Sequence, residues 1–240
     1  MTGRDFPICA MRLSVALWIA AVIFTFAPQI DVATSRLFFD PVRGFWMAKD
    51  HELLAIREAI WTVCLICLAA AVIAWACGLR RGVVLGIPSR VWCFVVLLHV
   101  VGPGIVANLV LKSYWGRARP ASIVEFGGTQ HFTAALEPAH ECLRNCSFVS
   151  GEGAMVSAML ISGLILARYV VCPKWRRGVL IVLWSVALVG LSLRVMMGRH
   201  FLSDTIFAAL FVSLIALFLR PFLAPRGHHF AAGPQIPAVS

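Results

Sequence analysis

Charge is what this chain is short of. Only 13% of its 240 residues are Asp, Glu, Lys or Arg, and acids are the scarcer sign, 11 against 21 basic residues. A soluble domain of this length needs a charged surface. A charged fraction this low, beside 60% hydrophobic residues and a mean hydropathy of +0.88, excludes an ordinary water-soluble fold. The chain also lacks a disulfide framework. Of its eight cysteines, Cys64, Cys67, Cys77 and Cys93 lie in apolar runs, and Cys9 and Cys172 lie beside basic segments. Cys64 and Cys67 make a C-x-x-C pair on paper, but inside a membrane helix they read as two small apolar side chains. Cys142 and Cys146 differ, because they share one polar loop, where an oxidising compartment would join them. No convincing small-residue cleavage site follows the first apolar run, so that run is expected to stay as an uncleaved helix.

What the chain has instead is length without charge. Crossing roughly 30 Å of hydrocarbon takes about 20 helical residues. Six such windows occur, at about 13–28, 60–77, 91–111, 149–167, 179–197 and 201–219. The expected fold is all-α: an integral membrane bundle of six transmembrane helices, one domain over 1–222, with a disordered cytoplasmic tail over 223–240. His228 and His229 in that tail are too weak a signal to argue a metal.

Basic residues set the orientation. With a cytoplasmic N-terminus, Arg4, Arg12, Arg80, Arg81, Arg90, Arg168, Lys174, Arg176, Arg177, Arg220 and Arg226 share the cytoplasmic side, and Asp5 is the one acid among them. The other ten basic residues and ten acids fall opposite. That asymmetry is the positive-inside rule. The net charge of +10 is therefore topological, which argues against nucleic-acid binding. A bacterial inner membrane is the expected location, with the acid-bearing side periplasmic.

The polar residues of that side gather at four helix ends. Lys112, Arg117, Arg119 and Pro120 follow span three, with Lys112 and Arg119 two helical turns apart if the helix continues. They read either as a snorkelling basic collar with Tyr114 and Trp115 or as an anion site. Ser147, Ser150, Gly151 and Glu152 open span four, where a helix N-terminus favours an anion and Gly151 lets it approach. An N-cap alone accounts for Ser150 and Gly151 but not for Glu152. Arg194, His200 and Asp204 surround a break near Gly198, and the last two share a face if helix six starts at His200. A structural ion pair is the plain reading of Arg194 and Asp204. It leaves the imidazole unexplained, whereas guanidinium, imidazole and carboxylate together are what holds, attacks and orients at a phosphate.

Taken together, these groups resemble the type 2 phosphatidic acid phosphatase family, whose pattern is Lys, six residues, Arg-Pro; Pro-Ser-Gly-His; and Ser-Arg, five residues, His, three residues, Asp. Lys112, Arg119 and Pro120 match the first element, and Arg194, His200 and Asp204 match the third, with Leu193 where Ser is usual. The middle element departs, with Val149 in place of Pro and Glu152 in place of His. The resemblance covers about 91–219 and is nearest to the bacterial lipid A phosphatases of that family. It implies a phosphoric monoester hydrolase of a membrane lipid phosphate, acting at the 1- or 4'-phosphate of lipid A. Phosphatidylglycerophosphate, phosphatidate and undecaprenyl pyrophosphate are the alternative substrates. A non-catalytic lipid-phosphate binder or transporter is the alternative of another class.

On this resemblance His200 is the nucleophile and Asp204 hydrogen-bonds its other ring nitrogen. Lys112, Arg119, Ser150, Gly151 and Arg194 hold the phosphoryl oxygens. Glu152 takes over proton donation to the leaving alkoxide, with His131 and His140 next in line. No metal or other cofactor is required. The outer segment at about 29–58, with Phe38, Phe39, Phe45 and Trp46, reads equally as an interfacial amphipathic helix or a packed connection.

Overall fold

The computed structural model describes residues 5–223; the tail over 224–240, with His228 and His229, lies outside the described residues. Among the described residues, six helices are long and apolar enough to cross a membrane. They are α1 (Asp5–Phe26), α3 (His51–Arg81), α4 (Ser89–Tyr114), α5 (Gly151–Leu166), α6 (Pro173–Met196) and α7 (Leu202–Leu219). A seventh, α2 (Gln29–Arg36), is too short to cross. At 22 residues, α1 extends about 33 Å, enough for the hydrocarbon layer. Its outward face is apolar: Trp18 and Phe26 are exposed, as are Trp184 and Leu188 on α6. Lipid is the solvent in which such surfaces are stable.

The bundle is built around α5, which packs on α4, α6 and α7, while α3 lies along α4 and α1 along α7. Small residues let these backbones approach closely, as membrane packing without a water-driven force requires. A Cβ on Gly163 of α5 would run into the Leu183 side chain of α6, and one on Gly190 would come within 3.0 Å of Val156. Phe148 meets Phe207 and Phe211 edge to face in the core, and the rings of Phe207 and Phe211 lie tilted against each other.

Three departures from the expected elements position the site. First, α3 begins at His51, well before the apolar window, capped by Asp50, whose Oδ1 accepts from the Leu53 amide at 2.9 Å. Its charged first turns therefore carry Arg57 over the polar end. Second, α4 is wound as a π-helix across Val100–Leu111, where Pro103 has no amide to donate and Asn108 Nδ2 donates to the Pro103 carbonyl at 2.7 Å. That widened stretch delivers Lys112 to the site. Third, α7 starts at Leu202 rather than at His200.

The connection between α1 and α3 is packed. α2 buries Asp31 and Ser35, and Phe39, Phe45 and Phe126 meet with ring centroids 5.0–5.4 Å apart. At the opposite end of the bundle, β1 (Val83–Val84) and β2 (Ile87–Pro88) form a two-residue hairpin joining α3 to α4.

Candidate active site

His200 sits in the turn between α6 and α7. Gly198, at φ +62°, allows the chain to reverse, and a Cβ there would strike the Phe45 ring. The amides of Arg199 and His200 both fold back onto the Arg194 carbonyl, at 3.1 and 3.2 Å. The imidazole is fully buried. Its Nδ1 lies 2.7 Å from the Ser147 carbonyl oxygen. A carbonyl only accepts, so Nδ1 carries the hydrogen and Nε2 keeps its lone pair. Nε2 has no hydrogen-bond partner. Burial pushes the His200 pKa down to about 4 against the pull of Asp204.

Asp204 was expected to bond the ring nitrogen directly, but its Oδ2 is 3.8 Å from Nδ1. The start of α7 at Leu202 explains the gap. Asp204 occupies the first helical turn, and Oδ2 accepts from the Phe201 amide at 2.8 Å and from the Ser147 hydroxyl at 2.5 Å. Its charge faces the ring while Ser147 makes the hydrogen bond.

The cationic groups arrive on three elements. α4 ends at Tyr114, so Lys112 and Arg119 do not share a helical face; an extended stretch through Gly116 returns Arg119 instead. Both meet Asn145: Lys112 Nζ lies 3.4 Å from its side-chain oxygen, and Arg119 Nε and Nη2 donate to its carbonyl at 3.1 and 2.7 Å. Asn145 is held in the short loop closed by the Cys142–Cys146 disulfide. Arg194 is buried at the end of α6, and its Nε has no partner.

Ser150 caps α5, with Oγ accepting from the Gly153 amide at 3.0 Å. The hydroxyl hydrogen is left to donate, as are the first amides of α5, which have no intrahelical acceptor. Gly151 is required for fit, since a Cβ would collide with the Asn108 side chain and come within 3.0 Å of Lys112 Nζ. Arg119, Arg194, Glu152 and Asp204 all lie near enough to Lys112 to act on its charge. The cup suits a dianion: fixed donors, a helix N-terminus and one unbonded nucleophilic nitrogen.

Glu152 is brought to the same cup, but as an acceptor. Arg57 donates through Nε to Oε2 at 2.9 Å and through Nη2 to Oε1 at 2.5 Å, and Arg194 Nη1 lies 3.4 Å from Oε2. Acting as a proton donor would require Glu152 to give up one of these contacts. His131 and His140 are exposed on the loop before α5.

Arg57, Asp31 and the structural role of Arg117 carry no motif in the sequence. Arg57 lies outside the apolar window, and its helical position is the only signal of it. Arg117 is fully buried rather than part of a basic collar, and pairs with Asp31 and Asp204. Burial raises the Asp31 pKa against the pull of Arg117.

Residues 90–227 match the PAP2 superfamily. A "Lipid A 4'-phosphatase" of Rhizobium leguminosarum is 30% identical, covering 83% of this chain and 92% of its own. One of the same name from Rhizobium etli is 29% identical, covering 83% of each. A third, from Francisella tularensis subsp. novicida, is 32% identical over 50% of this chain and 52% of its own. No solved structure gives a significant match.

Proposed function

The chain belongs to the PAP2 superfamily and is a membrane lipid phosphatase, and from that premise we propose that it removes the 4'-phosphate of lipid A through a phosphohistidine on His200. The observation that carries the chemistry is His200 itself, fully buried, hydrogen-bonded at Nδ1 and unbonded at Nε2. A phosphate monoester is among the slowest groups to hydrolyse, so the site must supply a positioned nucleophile and stabilise spreading negative charge. The relatives' names carry the choice of lipid.

In this reading Lys112, Arg119, Arg194, the Ser150 hydroxyl and the Gly151 amide hold the phosphoryl oxygens. Nε2 attacks phosphorus as the ester P–O bond breaks. The imidazolium that results is stabilised by the Ser147 carbonyl and the Asp204 charge. Water then attacks phosphorus, breaks the P–N bond and releases inorganic phosphate. Glu152 keeps Arg57 and Arg194 in place, and the departing alkoxide takes its proton from water. The distribution of basic residues supports a cytoplasmic N-terminus and a site on the periplasmic side of an inner membrane.

The test is incubation of purified protein with lipid A labelled at the 1- or the 4'-phosphate, beside phosphatidate, phosphatidylglycerophosphate and undecaprenyl pyrophosphate. Release from the 4'-position, abolished by His200→Ala, is the expected outcome. Release only from another lipid overturns the substrate, and binding without release from any of them overturns catalysis.

A further inference from the structure

We infer that Asp31, Arg117 and Asp204 form a buried charge triad whose single net negative charge is directed at His200, making Asp31 a positioning residue for the nucleophile. Asp31 lies on α2, outside the residues 90–227 that match the superfamily. The inference rests on His200 being the nucleophile.

The geometry is complete on the arginine's side. Arg117 is 0% exposed, and its Nη1 donates to Asp204 Oδ1 at 2.6 Å and to Ser203 Oγ at 2.9 Å. Nη2 donates to Asp31 Oδ2 at 2.9 Å, and Nε to the Thr133 carbonyl at 3.0 Å. The guanidinium plane lies over Phe201, 4.3 Å from its centroid. Asp31, also 0% exposed, accepts from the Ser203 amide at 2.8 Å and the Ser203 hydroxyl at 2.5 Å. Three elements, α2, the loop after α4 and the start of α7, are thus joined through charge among fully buried side chains.

Counting charge shows why the second carboxylate matters. Arg117 with Asp204 alone is a neutral pair, in which the guanidinium cancels part of the pull that the carboxylate, 3.8 Å from the ring, exerts on the forming cation. Attack by Nε2 leaves the fully buried His200 ring positively charged. With Asp31 also ionised the triad carries one negative charge, and Asp204 is its part nearest the ring. Arg117 and Ser203 fix that carboxylate; Asp31 offsets the guanidinium so that Asp204 acts on His200 at full strength. A structural staple between α2 and α7 would need the contacts but not the charge count.

The experiment measures phosphate release from lipid A in detergent micelles, with thermal stability followed in parallel, for wild type, Asp31→Asn, Asp31→Asn/Arg117→Met and His200→Ala. Asparagine preserves shape and can still accept from Arg117, so Asp31→Asn should lose about 10- to 100-fold in kcat, one to two tenfold steps in the barrier, with KM within about twofold. Asp31→Asn/Arg117→Met restores a single negative charge and should recover most of that loss; apolar replacement of a buried ion pair is tolerated in other proteins. A double variant that is folded but no better than Asp31→Asn overturns the inference, as does a wild-type kcat in Asp31→Asn. If Asp31→Asn does not fold, the double variant carries the test: turnover supports the charge count, and a folded, inactive protein overturns it. Activity surviving in His200→Ala instead removes the nucleophile reading on which the inference stands.

Discussion

His200 gives its Nδ1 hydrogen to the carbonyl of Ser147, 2.7 Å away, while the Asp204 carboxylate stands back at 3.8 Å. The ring's tautomer is therefore set by a main-chain oxygen from the loop leading into α5, the same helix whose first turn is proposed to hold the phosphate. Nucleophile and anion cradle are registered to each other through two residues of backbone, Val149 being all that separates Ser147–Phe148 from the Ser150 cap.

This bond has a spectroscopic consequence. Nitrogen-15 NMR of histidine-labelled protein, with His200 assigned by its loss in His200→Gln, should show Nδ1 protonated and Nε2 unprotonated. Because burial pushes the group down to about 4, it should stay neutral as pH is lowered through 6.5, where a free imidazole charges, and gain its proton only near 4. A midpoint near 6.5, or a hydrogen on Nε2, would contradict the site as described.

Glu152→Gln separates two roles for the carboxylate. As general acid it would be worth about 10²- to 10⁴-fold in kcat. As the partner of Arg57 and Arg194 it is worth less, because glutamine still accepts one hydrogen bond; a loss of about tenfold in kcat/KM, with KM carrying much of it, corresponds to weakening a charge-assisted contact. The two-point hold of Arg57 on Glu152 favours the smaller effect, and steady-state kinetics of the single variant decides it.

Gly151→Ala should damage the cradle by crowding alone. The new Cβ meets Asn108 and presses on Lys112 Nζ from 3.0 Å, so displacement of the lysine is expected to lower kcat/KM by about 10- to 100-fold, the range of one hydrogen bond to a charged group. Adding Asn108→Ala removes the nearer obstruction and should restore a large part of that loss. Failure of the second substitution to help would mean that Gly151 serves approach of the phosphate rather than fit to α4.

Much of this was legible in the sequence because membrane burial writes in long runs. The six apolar windows mark the six spanning helices, and Gly198 marks the break that turns His200 inward. The spacing of Arg194, His200 and Asp204 located the third motif. What stayed hidden has a common cause: it depends on backbone and on charged residues outside the apolar windows. The Ser147 carbonyl leaves no side-chain signature. Residues 51–58 are too charged to register in a hydropathy window, yet they continue α3 and bring Arg57 to Glu152. Arg117 reads like the other residues of a basic cluster, and only the fold shows that Asp31 lies against it.

The most direct measurement is rapid acid-free quenching of the enzyme with lipid A carrying a radiolabelled 4'-phosphate, followed by peptide mapping of the labelled protein. The account requires label on the peptide containing His200, stable to alkali and labile to acid, appearing before inorganic phosphate and absent in His200→Ala. Phosphate release at the full rate with no protein-bound label at any time, or label on another residue, would contradict it.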